Sequence, residues 1–379
     1  MSYTKIFRTP DYYPRFTCKC GDCRSTCCGG WGISLSLDEY LRLIGIDCSP
    51  ELRRRLDTAF HIADNPSPER YALVTPRWDG HCPLQREDGL CMLQRECGED
   101  MLPAVCRYYP RAPRTYPCFE CSTSASCEQT LELLFESDDP VRFVETELTF
   151  KLELPTPDVT IDVDYYINMR TLAFTTISDR RYSFDKRLKR LGDELDARDS
   201  RGFDLYVPNM ADSRLTMRNS TADAAEGTLP SNDSAIADCS KLFSALASDS
   251  TTLSQYTEVC STLAGSFHGS MYADLAMKYP KLDIYLEKLF CNHIFYKGFP
   301  CSLDEPRCHT LADEFAPLCA VYSLCIYVAV AALPDEPSLF DLVDVWSRLF
   351  RVIEHSSFDT FVSALMRRDK ISPYRLLSI

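Results

Sequence analysis

The sequence predicts a mainly α-helical protein, in which a cysteine-rich, loop-rich metal-binding N-terminal domain precedes an α-helical domain with a short β-hairpin. Three observations lead to this fold class. Thirteen of the 20 cysteines lie within residues 1–127, which contain few periodic apolar stretches. From residue 165 onward, apolar residues recur at spacings of three and four, as in amphipathic helices. Between these regions, residues 147–164 alternate in polarity and are broken at Pro155 and Pro157, which indicates a short hairpin.

The N-terminal segment carries two helix signals of its own. The stretch LSLDEYLRLIG is amphipathic, with Ser36 or Ser34 placed to cap its start and Gly45 placed to end it. A second helix is predicted around residues 50–63. The remainder of the segment is expected to be coil that a metal holds in place.

The rest of the chain is divided into three segments by composition. Residues 128–208 contain a helix at 128–139, the hairpin and further helices, whereas residues 235–379 form an α-helical domain. Residues 209–234 are rich in Ser, Thr, Asn and Asp and lack aromatic residues, which predicts a flexible linker or loop. After the hairpin, helices are predicted at 165–176, 183–196, 238–246, 253–263, 282–296, 311–333 and 339–355.

The longest apolar run, residues 315–333, is long enough to span a bilayer. It contains Pro317, two tyrosines and a serine, and no Lys/Arg cluster flanks it, so we interpret it as a buried helix. The N-terminal sequence MSYTKIFRTPDYYPRF has no apolar stretch of the kind found in signal peptides. The expected location is therefore cytoplasmic, without a membrane partner.

The charge of the chain is unevenly distributed. Residues 1–127 carry 16 Lys and Arg against 16 Asp and Glu, so the other 25 basic and 39 acidic residues account for the whole net charge of −14. Binding to nucleic acid requires a basic face that neutralises phosphates. Nucleic acid is accordingly not an expected partner, and a basic or lysine-bearing protein fits the acidic half better.

Eight cysteines of the N-terminal segment form a spaced pattern that predicts a metal or iron–sulfur centre. The alternative is a disulfide framework, which is typical of short secreted domains in an oxidising compartment. A chain of 379 residues can bury a large core without such links, so reduced thiolates are the better interpretation. The predicted ligands are Cys18, Cys23, Cys27, Cys28, Cys82, Cys91, Cys106 and Cys127.

Local signals place these cysteines where several sulfurs can converge. An Asp-Gly turn folds Cys82 and Cys91 towards each other. Cys106 lies in a short helical turn between two prolines, and Cys127 opens a helix whose N-terminal dipole favours a thiolate. Cys27 and Cys28 are adjacent and need not bind the same ion.

The metal and the number of centres stay open at this stage. Zinc takes four thiolates in a closed tetrahedral site, and a [4Fe–4S] cluster also takes four. Eight cysteines suffice for two such centres, or for one centre with spare thiols. A purely structural metal that orders a loop-rich domain has the same ligand pattern.

Aromatic and basic residues lie near the cysteines in sequence. Trp31, Tyr108 and Tyr109 are either packing residues or the wall of a pocket for a cation, such as a lysine side chain or a sulfonium methyl donor. Nearby arginines would offset the negative charge of metal thiolates. In the helical half, acid/base candidates are found at His293, Tyr296, Glu354 and His355.

Four motifs give the chain a resemblance to a known family. They are F-x-C-x4-C-x3-C-C-x2-W at residues 16–31, C-P-x4-D-G-L-C at 82–91, G-E-D-x-L-P-x-x-C-R-x-Y-P-R at 98–111, and Ser-Cys at 126–127. Together with LEKLFCNHIFYKGFP and RVIEHSS in the helical half, they resemble the bacterial flagellin lysine-N-methylases. That family is related to the zinc- or iron-chelating CxxCxxCC proteins.

The resemblance implies a lysine N-methylase that transfers methyl groups from S-adenosylmethionine to lysine ε-amines of flagellin or a related protein, with zinc or a [4Fe–4S] cluster. The chain departs from the pattern in its extra thiols at Cys20, Cys97, Cys118 and Cys121. It has no glycine-rich nucleotide loop and no radical-type CxxxCxxC triplet, so the methyl-donor site and the catalytic residues are not assigned. The alternative is a non-catalytic metal- or iron–sulfur-binding protein that serves structure, metal delivery or redox sensing.

Overall fold

The protein is mainly helical in the computed structural model, which describes residues 3–151, 162–199, 232–300 and 311–379. Within these ranges there are sixteen α-helices. They are α1 Leu37–Ile44, α2 Pro50–Ala59, α3 Met92–Cys97, α4 Ala104–Tyr108, α5 Glu128–Phe135, α6 Val163–Ile177, α7 Phe184–Asp199, α8 Asn232–Ser248, α9 Thr251–Ser254, α10 Thr257–Ser266, α11 Met271–Lys278, α12 Leu282–Lys297, α13 Leu311–Ala332, α14 Leu339–His355, α15 Phe358–Asp369 and α16 Pro373–Leu376.

Two small sheets accompany the helices. The strands of the described residues are β1 Tyr3–Pro10, β2 Ser34–Leu35, β3 Phe60–Ile62, β4 Ala72–Val74, β5 Arg111–Arg114, β6 Glu120–Thr123 and β7 Phe143–Phe150. One sheet has the order β5-β6-β1-β7, with β1 parallel to β6 and antiparallel to β7. The other is the antiparallel sheet β2-β4-β3.

Strand β7 pairs along its whole length with the first strand of the chain. The register runs from Pro10 opposite Phe143 to the first residue of β1 opposite Phe150. The hairpin predicted at 147–164 therefore differs from the structure in its first half, which pairs with β1. Its second half falls on residues 152–161, outside the described residues, as does most of the linker predicted at 209–234.

Local sequence signals fix the helix starts in the N-terminal segment as expected. Ser36 caps α1 in a reciprocal capping box with Glu39. Pro50 is the first residue of α2 behind the Ser49 cap, and α2 ends at Ala59, before the predicted limit, because the next residues join β3.

Helices of the second half bury a large common core. Trp346, Tyr322, Tyr327 and Phe290 are fully buried within it, and α5 also contributes to it through Leu131. A much smaller core under α1, α2 and α3 includes the buried leucines 35, 52, 56 and 93. The predicted helix 253–263 is divided into α9 and α10. The sequence analysis did not predict α3, α11, α15 and α16.

The apolar run forms α13, which is long and apolar enough to cross a membrane by length and composition. In its most apolar 18-residue window, 83% of the residues are buried inside the protein. It contacts α7, α8, α11, α14 and α15. The interpretation of this run as a buried helix agrees with that packing.

Candidate metal centre

All eight predicted cysteine ligands line one cavity of about 340 Å³. They come from four separate stretches of chain, and Cys20 also lines the cavity. We call this space the thiol cavity. Its remaining wall includes Phe16, Trp31, Leu93 and Tyr109, with Lys19, Arg107 and Arg111 as basic residues.

The first cysteine loop is held against the start of α5 by Glu128. This carboxylate, which is 2% exposed, accepts hydrogen bonds from the backbone N–H groups of Ser25 (2.8 Å) and Arg24 (3.2 Å). It also pairs with the Lys19 ammonium at 2.9 Å. Burial opposes ionisation, yet these hydrogen bonds lower the pKa of Glu128. The loop therefore lies close to Cys127, which occupies the N-cap position immediately before α5.

The second stretch is a tight hairpin that returns Cys91 towards Cys82. Gly89 adopts a φ of +77°, and Gln85 and Cys91 form a bridge across the turn. The N–H of Cys82 donates to the carbonyl of Cys28 at 2.7 Å. The hairpin is thereby joined to the end of the first cysteine loop.

Helix starts place the last two cysteines, as the sequence predicts. Cys106 lies in α4, which is preceded by Pro103, and Cys127 immediately precedes α5. Cys106 has solvent-accessible surface where it faces the cavity. The protein atoms around its thiol still displace much of the water, and this desolvation raises its pKa. Burial raises the pKa of the Cys127 thiol, and the backbone N–H groups of Thr130 and Gln129 at the start of α5 oppose this shift.

The Arg351 guanidinium of α14 fastens the cysteine loop to the helical core. It donates to the carbonyls of Ser25 (2.8 Å), Thr26 (2.9 Å) and Gly29 (3.0 Å). Three carbonyls of one turn thus accept from a single buried cation. The RVIEHSS motif contains this arginine, although sequence reasoning assigned it no role.

The thiol pKa values in the cavity are shifted in different directions. The Cys27 thiol donates to the Cys28 sulfur, which lowers the pKa of Cys28 to about 7 and raises that of Cys27. Burial raises the pKa of Cys82 to about 11 and that of Cys23 to about 12. Metal binding to such a set would release protons, because metals bind thiolates.

The cavity and its donor set fit a cysteine-ligated metal group that occupies a volume larger than a single ion. As placed, no three Cys, His, Asp or Glu side chains in the described ranges form a group that would hold one metal ion. Four Zn–S bonds of about 2.3 Å require the sulfurs to meet around a single point. In a [4Fe–4S] cluster each cysteine binds a different iron, which keeps the ligand sulfurs further apart and matches thiols spread around a cavity.

Apart from Cys20, the other cysteines lie elsewhere wherever the structure describes them. Cys121 is buried in the sheet core, where its thiol donates to the hydroxyl of Tyr13 at 3.3 Å. Cys48 and Cys97 pack against the small core under α1 and α2. The helical cysteines are buried in the large core, as expected for small apolar residues: Cys239, Cys260, Cys291, Cys319 and Cys325. Cys301 and Cys308 are outside the described residues.

Two of the three predicted pocket aromatics border the thiol cavity. The Trp31 indole donates to the carbonyl of Cys27 at 2.7 Å, and its ring contacts Tyr109 edge to face at 4.9 Å. Tyr108 lies on the other side of α4, where it packs on Phe150 in the N-terminal sheet.

A second cavity, of about 620 Å³, opens on the far side of Trp31. We call it the helix-side cavity, because α14 and α15 supply much of its wall, including His355 and Phe361. Trp31 and His355 contact each other with ring centroids 4.4 Å apart. Trp31 lines both cavities, as does Val74.

Hydrogen bonds connect the two cavities behind Trp31. The Tyr109 hydroxyl lies 3.0 Å from Ser126 Oγ, which lies 2.8 Å from His355 Nε2. Burial lowers the pKa of His355 to about 4, so the imidazole is neutral at pH 7. The sequence analysis names His355 as a candidate and gives Ser126 no role, although the Ser-Cys motif contains it.

A buried carboxylate supports the same network. Glu354 accepts from Ser124 Oγ (2.6 Å) and from the N–H of Ala125 (2.8 Å), and its other oxygen is 2.9 Å from His293 Nδ1. His293 and Glu354 are thus buried partners and do not line the helix-side cavity. The rings of Tyr296 and His355 lie edge to face, with their centroids 6.4 Å apart.

Comparisons with protein-family models, with curated proteins and with solved structures gave no match. The class of protein therefore rests on the thiol cavity and its surroundings.

Proposed function

We propose that the protein is a lysine N-methylase that transfers methyl groups from S-adenosylmethionine to lysine ε-amines of flagellin or a related protein, and that the thiol cavity holds its cysteine-ligated metal centre. One observation carries the proposal. The eight cysteines of the motifs line a single cavity, and an aromatic residue of the first motif, Trp31, lines both this cavity and a second one. A [4Fe–4S] cluster suits the spread of the thiols better than zinc does.

The helix-side cavity has features that suit a lysine side chain and a sulfonium. Trp31 and Phe361 offer aromatic surfaces, which attract cations. Neutral His355 adds no positive charge, whereas the Arg351 guanidinium, which also lines the cavity, donates to three carbonyls of the cysteine loop. Asp249 contributes a negative charge to the wall.

Methyl transfer to an amine is an in-line displacement: the amine nitrogen forms a bond to the methyl carbon while the carbon–sulfur bond breaks. The amine must be deprotonated and aligned with the sulfonium. A partly dry aromatic cavity favours the neutral amine, because burial lowers the pKa of lysine. When bound, a metal in the thiol cavity would order the Cys27–Trp31 turn that forms the wall.

One assay distinguishes the proposed methylase from the alternative, a non-catalytic metal-binding protein. Anaerobically metal-loaded protein is incubated with S-adenosylmethionine and flagellin, and lysine methylation is measured by mass spectrometry. Trp31→Phe should reduce methylation at least tenfold and leave the metal content unchanged. Trp78→Phe is the matched control, since Trp78 is 98% exposed. Fully loaded wild-type protein that methylates no lysine would favour the non-catalytic alternative.

A further inference from the structure

The imidazole of His355 lies between two different environments. Its Nε2 is 2.8 Å from Ser126 Oγ and 3.1 Å from Ser124 Oγ, on the side of the buried hydrogen-bond network. The residue also keeps exposed surface and lines the helix-side cavity. Its Nδ1 has no hydrogen-bond partner among the residues that the structure describes. The ring is therefore able to present Nδ1 to a ligand in that cavity.

The protons available in the network decide which nitrogen of the ring is protonated. Glu354, as a carboxylate, only accepts hydrogen bonds, so the Ser124 hydroxyl 2.6 Å away donates its single proton to it. The hydroxyl oxygens of Ser124 and Ser126 are also 2.6 Å apart, and two oxygens at that distance need a proton between them. Since the proton of Ser124 is already used, the Ser126 hydroxyl donates to Ser124. Neither serine then has a proton left for His355.

The histidine must therefore supply the proton in its contacts with the two serines. Nε2 is the protonated nitrogen and donates to the Ser126 oxygen, which also accepts from the Tyr109 hydroxyl. In a neutral imidazole only one nitrogen carries a proton, so Nδ1 keeps its lone pair. The lowered pKa of His355 keeps the ring neutral at pH 7. Edge-to-face contacts with the rings of Trp31 and Tyr296 hold its orientation.

We infer that His355 accepts a hydrogen bond at Nδ1 from the amine nitrogen of a ligand in the helix-side cavity, and that the chain of hydrogen bonds from the Glu354 carboxylate holds the ring in the required tautomer. The tautomer and the acceptor follow from the hydrogen bonds alone. The identity of the amine as a lysine side chain rests on the proposed function. In that reaction His355 is a catalytic residue, while Ser124, Ser126 and Glu354 are positioning residues.

A neutral acceptor suits the methyl transfer, because the charge of the amine nitrogen changes during the reaction. One N–H of the neutral lysine amine donates to Nδ1 of His355, and the lone pair of the nitrogen attacks the methyl carbon. As the nitrogen–carbon bond forms, the carbon–sulfur bond breaks, its electron pair passes to sulfur and the nitrogen becomes positively charged. The hydrogen bond to Nδ1 thereby becomes charge-assisted and stronger, which stabilises the transition state. The methylated ammonium keeps its protons until it leaves the cavity.

The tautomer is tested by ¹⁵N nuclear magnetic resonance of the whole chain, loaded with metal and labelled in its histidines. The signals of His355 are those that disappear in His355→Phe. We expect a protonated Nε2 and an unprotonated Nδ1 at pH 7. Ser124→Ala interrupts the chain to Glu354 and frees the Ser126 hydroxyl to donate to Nε2, so the Nδ1–H tautomer should become populated.

The matched control for the tautomer is Ser347→Ala. Ser347 is a buried serine on the same helix as His355, and its hydroxyl donates to the backbone carbonyl of Asp344 at 3.2 Å. This variant should keep the wild-type tautomer. A wild-type ring protonated at Nδ1, or a ring whose tautomer does not respond to Ser124→Ala, would overturn the inference.

Two small probes test the acceptor without any methyl transfer. Butylamine carries N–H bonds, whereas butyltrimethylammonium has the same butyl chain and no N–H bond. Added to the labelled protein, butylamine should shift the Nδ1 signal of His355 until the site is saturated, and butyltrimethylammonium should leave it in place. The absence of a shift with butylamine, or equal shifts with both probes, would contradict the proposed acceptor.

Methylation assays separate this inference from the proposed function. His355→Phe keeps an aromatic ring and removes the acceptor, so methylation should fall at least about tenfold at unchanged metal content, as expected for a lost hydrogen bond to a charged group. Ser347→Ala should methylate normally. The expected tautomer and amine response in a protein that methylates no lysine would refute only the proposed activity. Normal methylation by His355→Phe would refute only this inference.

Discussion

At the scale of single residues, the Cys27–Cys28 pair shows how neighbouring thiols acquire different chemistry. The Cys27 thiol donates a hydrogen bond to the Cys28 sulfur and thereby stabilises the Cys28 thiolate. Burial has the opposite effect on Cys23 and Cys82, although all three have similar, intermediate exposure. Differences in reactivity among them therefore reflect thiolate content more than access.

In metal-free protein we expect Cys28 to be alkylated by iodoacetamide faster than Cys23 or Cys82 at pH 7. Its pKa of about 7 means that its rate rises through pH 7 and levels off above it, whereas Cys82, with a pKa of about 11, gains thiolate only at high pH. Cys27→Ala should slow the reaction, and Cys27→Ser, which retains a donor, should largely restore it. Peptide mass spectrometry measures each rate; equal rates at the three thiols would contradict the assignment.

Glu128 is a second residue whose role can be tested separately. Glu128→Gln removes the charge that binds two backbone N–H groups, so we expect a loss of about 1–3 kcal/mol of unfolding free energy and a weaker hold on metal. The loss should be smaller at low pH. The pKa of Glu128 is lower in the folded protein than in the unfolded chain, so the ionised carboxylate stabilises the fold at neutral pH. This contribution disappears as the pH falls and the carboxylate becomes protonated.

The matched control is Glu132→Gln on the same helix. Glu132 pairs with Lys19 and Arg24 side chains, at 2.7 Å and 2.8 Å, and is more exposed than Glu128. Its replacement should cost less than about 1 kcal/mol. Denaturant unfolding measures the unfolding free energy of both variants. Equal losses would show that the hydrogen bonds from the backbone to Glu128 stabilise the fold no more than the side-chain ion pairs of Glu132 do.

At the scale of elements, those set by local signals were predictable from the sequence. Ser36, Pro50 and Pro103 fix helix starts through caps and a restricted φ, and Gly89 permits the hairpin turn. The pairing of β1 with β7 was not predictable, because it joins residues more than 130 positions apart and depends on tertiary packing. Convergence of the cysteines was predicted from spacing, whereas their anchoring by Glu128 and Arg351 was not.

Removal of the metal should loosen the cysteine loop and the hairpin before the helical core. Residues 18–31 and 82–110 have few buried apolar side chains, while α12, α13 and α14 lie within the large core. Hydrogen exchange followed by mass spectrometry, before and after chelation, should show faster exchange in those two stretches and little change in the three helices. Equal acceleration throughout would mean that the metal stabilises one cooperative unit.

At the scale of the whole molecule, Arg351 connects the wall of the thiol cavity with the helical core. Its three carbonyl partners all belong to the turn that carries Cys27 and Cys28. The helix-side cavity lies between the same two parts, since Trp31 comes from the loop and His355 from α14. Activity at that cavity would therefore depend on the order of the cysteine loop.

Arg351→Gln should uncouple metal binding from methylation. The thiols retain their own anchors, so we expect most of the metal to stay bound, while methylation falls at least tenfold because the Trp31 wall is no longer fixed. Arg348→Gln on the same helix is the control, as the Arg348 guanidinium donates to the Tyr256 hydroxyl (3.2 Å) in the helical half. Normal methylation by Arg351→Gln would show that the proposed activity does not depend on the hydrogen bonds that hold the cysteine loop to α14.

The central claim is that the cysteines of the thiol cavity ligate a metal, and X-ray absorption spectroscopy of the anaerobically purified whole chain tests it most directly. We predict an iron edge, about four sulfur neighbours at about 2.3 Å and an iron–iron distance shell from the cluster. A zinc edge with the same sulfur shell would keep the cysteine site and change its metal. A first shell of nitrogen and oxygen, or protein that remains metal-free after reconstitution with its thiols reduced, would contradict the account.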